Sequence, residues 1–156
     1  MLRLVGQGLF DVFSGEMMKP APADIADRVK PVLSQHRQVI AAYLFGSAAS
    51  GRLRPGSDID IAVLLDERAG KFDRKEELER LHPPLCRTLR HDVHLVFLNQ
   101  ASCLLLGQVI DKGVLLYVSD QEQLSLFRMR SLTLYTEFAP YMRMFRESMK
   151  KKVSKA

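Results

Sequence analysis

Cysteine is nearly missing from this chain: Cys86 and Cys103 are the only two in 156 residues. Two thiols in a chain this long make no disulfide framework, which excludes the stapled secreted scaffolds and points to a reducing cytoplasm. Long apolar runs are missing as well, and none approaches the roughly 18 residues that a membrane span needs. The opening stretch MLRLVGQGLFDVFSGEMM carries Asp11 and Glu16 and lacks a clean apolar core with a small-residue cleavage site, so it does not read as a signal peptide. There is no internal repeat, no long low-complexity tract, and no basic stripe interleaved with aromatics of the kind that stacks single-stranded nucleic acid. Disorder is excluded by a composition that is 47% hydrophobic and 26% charged. What remains is the length of one globular domain. Its 23 Lys+Arg against 18 Asp+Glu leave a charge of +5, which suits an anionic ligand: nucleotide, nucleic acid or acidic protein.

Hydrophobic periodicity and punctuation divide the chain. Pro20 and Pro22 close an extension over residues 1–20, ahead of a domain over 21–148 and a basic tail over 149–156. From Ala23 to Arg37, Ile25, Val29, Val32 and Leu33 recur at helical spacing, with Asp24 near the start. Val39–Phe45 reads as a buried strand closed by Gly46, and Ser47–Ser57 as a turn or short helix plus loop. A second strand spans Asp58–Leu65. A polar helix follows over Asp73–Leu89, with a potential break at Pro83-Pro84. Asp92–Leu98 is a third strand, Ala101–Asp111 a helix, Val114–Val118 a short strand, and Gln121–Lys152 helical in pattern apart from Pro140. Strands alternating with helices predict an α+β (α/β-like) domain: a small mixed sheet flanked by helices, with a long C-terminal helical region.

One stretch carries chemistry. Gly46-Ser47 is followed by ten residues and then by Asp58-Ile59-Asp60. Carboxylates at i and i+2 of a strand point to one face, about 6.6 Å apart along the backbone. Flanked by Ile59 and Ile61, they sit where an unpaired carboxylate is costly, and they repel each other unless a cation lies between them. A hard divalent ion, Mg²⁺ or Mn²⁺, with oxygen ligands and a bound triphosphate explains the pair economically. Upstream, Gly46 lets a backbone approach phosphates closely, and the Ser47 hydroxyl and free N–H groups can hold phosphate oxygens. Arg52, Arg54 and Ser57 in the connecting loop add candidates for the same grip.

The run LFGSAASGRLRPGSDIDIAVLL resembles the Gly-Ser-x10-Asp-x-Asp signature of the DNA polymerase β-type nucleotidyltransferases. It is most similar to the minimal nucleotidyltransferase group, the antitoxins paired with HEPN-domain toxins. The resemblance extends over roughly residues 24–145, including VHLVFLNQAS and VIDKGVLLY. It implies the nucleotidyltransferase fold, ATP as substrate, two Mg²⁺ ions held by Asp58 and Asp60, and Ser47 on the triphosphate. It further implies transfer of AMP to a tyrosine of a HEPN ribonuclease toxin. A third carboxylate on the next strand usually completes the set. Here that position aligns with His94, and Asp92 lies two residues earlier on the same strand face. Three readings stay open: Asp92 takes over, His94 serves as base or ligand, or the catalyst is weakened. Imidazole accepts a proton near pH 7 but is a poor Mg²⁺ ligand.

Two alternatives belong to other classes: a non-catalytic antitoxin that masks its toxin, and a nucleotidyltransferase for small molecules such as aminoglycosides. The second needs a substrate domain for which 156 residues leave little room. A toxin role is disfavoured, since Arg130-Ser-Leu-Thr-Leu-Tyr135 lacks the histidine of an Arg-x4-His-x-Tyr ribonuclease motif. His82 and His91 are expected near element ends, facing solvent. The methionines 129, 142, 144 and 149 read as helix packing or, equally, as a partner surface. Lys150–Lys152 and Lys155 read as a solvated end, with contact to RNA or an acidic partner as the functional alternative.

Overall fold

A computed structural model describes residues 19–153. Within them the order is α1 (Pro22–Ser34), β1 (Val39–Phe45), α2 (Gly46–Ala49), β2 (Ile59–Leu65), α3 (Arg74–Leu89) and β3 (Val93–Phe97). A 3-10 turn (Leu98–Gln100), α4 (Cys103–Lys112), β4 (Val114–Val118) and α5 (Gln121–Val153) follow. The expected α+β class with one mixed sheet is what the chain adopts. Strands lie in the order β3-β2-β1-β4; β1 runs antiparallel to both β2 and β4, while β2 and β3 are parallel. Most of the expected extension, residues 1–18, and the end of the tail with Lys155 lie outside the described residues.

Strand alternation separates two cores. On β2, Ile59, Ile61, Val63 and Leu65 face α1 and α3, meeting Ile25, Val29, Leu33, Leu81, Leu85 and Leu89. Ala62 and Leu64 face the other way, joining Tyr43, Leu106, Val109 and Leu124 under α4 and α5. Local signals start the helices where the sequence puts them. Asp24 accepts from the Ala21 N–H, Asp73 caps α3 through the Lys75 and Glu76 N–H groups, and Ser102 caps α4 through Leu105.

Three expectations need correction. Helix α3 is not broken at Pro83-Pro84. The carbonyls that lose their donors belong to the exposed Glu79 and Arg80, where water replaces the N–H, while Leu81, Leu85 and Leu89 keep the helix seated on the sheet. Helix α5 likewise continues through Pro140, and its last turn carries Lys150–Lys152, all exposed. His82 lies inside α3, not at an end, and its Nε2 donates to the Val93 carbonyl at 2.9 Å, tying that helix to β3.

Tyr43 fastens α5 to the sheet. Its side chain is 2% exposed, its hydroxyl accepts from Arg128 Nε at 2.8 Å, and the guanidinium lies 5.6 Å from its ring centroid. Burial pushes this phenol above its ordinary value of 10.0, against the lowering pull of Arg128. The neutral form is therefore the one that the fold protects. Its contribution to stability is complete below pH 10 and is lost as pH rises from there through the folded value. Thermal melts should show this alkaline loss, and Tyr43→Phe should remove it. Arg128→Ala, which leaves a buried hydroxyl without a partner, should cost about 1–3 kcal/mol in chemical denaturation.

Candidate active site

The sequence motif becomes a corner at one end of the sheet. β1 ends at Phe45, and the chain turns through Gly46 with φ at +68°, a left-handed conformation that favours glycine. The short helix α2 follows, held by Ser50 Oγ donating to the carbonyls of Gly46 and Ser47 and by Arg52 N–H donating to the Ser47 carbonyl. Phe45 stands opposite Asp60 in the β1–β2 register. This brings the Gly46 turn against the Asp60 carboxylate so closely that a Cβ on residue 46 would collide with Asp60 Oδ2 and lie 3.1 Å from its Cγ.

The other side of Asp60 is set by β3. In the parallel register Asp60 pairs with His94, and His94 Nδ1 lies 2.9 Å from Asp60 Oδ1. A carboxylate only accepts, so Nδ1 carries the proton, and in the neutral ring Nε2 is left with its lone pair. The Asp60 side chain is 25% exposed and that of His94 57%, so the pair is open to an incoming group. The Phe45 ring sits 6.5 Å from the imidazole, tilted at 55°, as a wall. One carboxylate thus has two neighbours: Gly46 at Oδ2 and the imidazole at Oδ1.

Asp58 lies one residue before β2 and is exposed. Chain alternation gives it the face of Asp60. Asp92 is exposed just before β3, where its carbonyl accepts from the Ile59 N–H at 2.9 Å and starts the parallel ladder. It lines an open cleft of about 470 Å³ with Ser57, Arg87, Arg90 and His91. Of the two residues weighed for the third position, His94 is the one that the structure brings to Asp60. Ser47 and Ser57 are half-buried, while Arg52 and Arg54 flank the buried Leu53 and stay exposed on the loop, without an ion pair among the described residues.

Among the described residues there is no ready cluster of three or more potential metal ligands. Two carboxylates with hard oxygens are nevertheless what Mg²⁺ usually takes from a protein when phosphates and water complete its shell. Oδ1 of Asp60 is engaged by His94, which leaves Oδ2, on the glycine side, as the free ligand.

Two features escaped sequence reading. Phe45 is the wall next to His94, and only the fact that it immediately precedes Gly46 hints at that. Asn99 is the lock: its Oδ1 accepts from the Leu65 N–H at 2.9 Å and its Nδ2 donates to the Leu65 carbonyl at 2.8 Å. The side chain thereby continues the ladder beyond the last paired residues of β3, and an Asn directly after a strand was its available signal.

Comparison with known proteins agrees with this fold. The family described as "Polymerase beta, Nucleotidyltransferase" matches residues 27–122. The protein adenylyltransferase MntA of Shewanella oneidensis is 37% identical over 93 residues, which cover 60% of this chain and 63% of that protein. The match therefore spans less than two thirds of that relative's length. A crystal structure of a toxin–antitoxin with AMP-PNP superposes with a TM-score of 0.65 at 31% identity, over 80% of this chain and 98% of that one. A tri-AMPylated Shewanella oneidensis HEPN toxin in complex with an MNT antitoxin gives 0.60 at 29% identity, over 80% and 96% of the two chains.

Two substitutions test the corner. Gly46→Ala meets both the left-handed φ and the Asp60 carboxylate, and should lower nucleotidyl transfer by about 10²-fold by displacing Asp60. Asn99→Ala frees two backbone groups of Leu65 and should cost about 2 kcal/mol in chemical denaturation.

Proposed function

The chain belongs to the polymerase beta-type nucleotidyltransferase family, and from that premise we propose that it transfers AMP from ATP to a tyrosine hydroxyl of a HEPN-domain ribonuclease toxin, acting as its antitoxin. The observation that carries this reading is the Asp60 carboxylate held between the Gly46 turn and the His94 imidazole. The relatives support it, since one is named a protein adenylyltransferase and another is an antitoxin bound to an AMP-modified HEPN toxin. The addition places bulk and a negative charge on the acceptor tyrosine, which blocks a ribonuclease site beside it. Both cysteines are free and no described helix is long and apolar enough to cross a membrane, in keeping with work in the cytoplasm.

The chemistry is an in-line displacement. The acceptor oxygen forms a bond to the α-phosphorus as the bridging bond to the β-phosphate breaks, and pyrophosphate leaves. Gly46 and Ser47 hold phosphate oxygens at the turn, with Ser57, Arg52 and Arg54 on the loop beside them. Asp58 and Asp60 would hold Mg²⁺, or Mn²⁺ in its place, and the bound metal would offset the negative charge of the triphosphate. His94 takes the acceptor proton on Nε2. Asp60 Oδ1 holds the opposite nitrogen, fixing the tautomer and stabilising the imidazolium that forms. Asp92 is given no step here; it lines the adjoining cleft with Ser57, Arg87 and Arg90.

The test is transfer of label from α-³²P-ATP, with Mg²⁺, to a purified HEPN-domain toxin. Label that disappears in Asp58→Ala/Asp60→Ala is the expected outcome. A toxin that is neutralised without label identifies a masking antitoxin instead. His94→Gln should lower kcat by about 10²–10⁴-fold, while the KM for ATP stays near the wild-type value. Asp92→Asn should transfer at a near wild-type rate. The opposite pattern, with Asp92→Asn dead and His94→Gln active, overturns the assignment of the base.

A further inference from the structure

Helix α5 is 33 residues long, about 50 Å at 1.5 Å per residue, and only its first half has a bed in the fold. Leu124 and Ser131 are buried, Arg128 reaches Tyr43, and the Tyr135 ring lies against Gly107 of α4, where any Cβ would strike it. From Thr136 to Lys152 no side chain is buried. The seam nevertheless continues without a break. Leu124, Arg128, Ser131, Tyr135, Phe138, Met142, Phe145 and Met149 follow one another in alternating steps of four and three, the spacing of a two-helix interface. Phe138 is 50% exposed, Phe145 68% and Met149 47%, with Tyr141 at 70% and Met144 at 67% beside them. A helix lying alone in water gains nothing from such a stripe; a helix facing another does.

Charge selects the occupant. Between Glu137 and Lys152 five cations, Arg143, Arg146, Lys150, Lys151 and Lys152, face two acids, Glu137 and Glu147. None of the five is ion-paired among the described residues. A second copy in parallel would stack lysine clusters, and an antiparallel copy would oppose each cluster with little more than Glu137, so self-pairing doubles an unbalanced charge. An amphipathic helix with acidic flanks satisfies seam and charge together. We propose that the projecting half of α5 is the docking helix for the acceptor-bearing partner, and that it receives an acidic amphipathic helix of that protein. This rests on the transfer reading above for the identity of the partner. It separates docking from chemistry: α5 gathers the partner, and the Gly46–Asp60–His94 corner acts on it.

The experiment uses the full chain and the HEPN-domain toxin of the transfer test, with binding followed by calorimetry and transfer by label. Phe138→Ser/Tyr141→Ser/Phe145→Ser should weaken partner binding by at least about 100-fold. ATP binding and the circular dichroism spectrum should stay unchanged. The KM for the partner should rise while kcat holds. Lys150→Glu/Lys151→Glu/Lys152→Glu should weaken binding about 10-fold at low salt, a difference that shrinks at high salt. The proposal is overturned if the triple serine variant binds as the wild type does, if the wild-type chain does not bind the partner, or if the free chain sediments as a dimer that the serine variant dissociates. Partner that docks through α5 yet stays unlabelled would sink the transfer reading and leave the docking helix standing. Undiminished labelling at low partner concentration by the serine variant would do the reverse.

Discussion

The parallel register between β2 and β3 is the constraint on which the site depends. Asp60 lies beside His94 because Ile59 lies beside Val93, and those two lie together because both are buried against α3. A slip of one residue would turn His94 into the apolar layer and leave Val93 against the carboxylate, which burial of the whole Ile59–Leu65 face forbids. Hydrogen bonds pin the pairing at both ends. The Ile59 N–H meets the Asp92 carbonyl where the strands begin, and Asn99 grips the Leu65 backbone where they stop. Packing of one face thus positions the polar groups of the other.

This economy also explains why reactive groups survive at the end of a sheet with cores on both sides. α4 and α5 cover the face bearing Ala62 and Leu64, but they stop short of Asp60, which keeps one quarter of its side chain exposed. The antiparallel partner contributes the turn: β1 delivers Phe45 opposite Asp60 and reverses at Gly46, where the missing Cβ leaves room for the carboxylate. Three strands therefore meet at one carboxylate, each by its backbone register. α5 stands apart from this. Its anchoring half is bound by Tyr43 and Gly107, and its remaining half presents to solvent the same seam by which the helix is bound.

Much of this was legible in the residues. Val39–Phe45 and Val114–Val118 were readable as strands to the residue, being short apolar runs bounded by glycine. Asp73, the cap of α3, stood at the expected start of that helix, while Ser102, the cap of α4, lay inside a helix expected from Ala101. The proline signals misled, because a lost N–H is cheap where the orphaned carbonyl meets water. Pro83, Pro84 and Pro140 all sit inside continuous helices. The methionines read as helix packing or a partner surface alike, and only the structure shows Met129, Met144 and Met149 exposed, since periodicity records a stripe and says nothing of whether a neighbour faces it.

The sequence by itself determined the pieces whose information is local: the Gly-Ser turn, the Asp-x-Asp alternation, the order of helices and strands, and the excess of positive charge. Backbone conformation and two-residue periodicity are short-range properties, so composition and spacing suffice for them. Which residue completes the carboxylate site could not be read this way. Asp92 and His94 share one strand face, and only the register against β2, with the apolar packing that enforces it, puts the imidazole, and not the Asp92 carboxylate, 2.9 Å from Asp60. The same holds for α5, where the point at which its seam loses the protein's own core depends on how far the sheet and α4 extend.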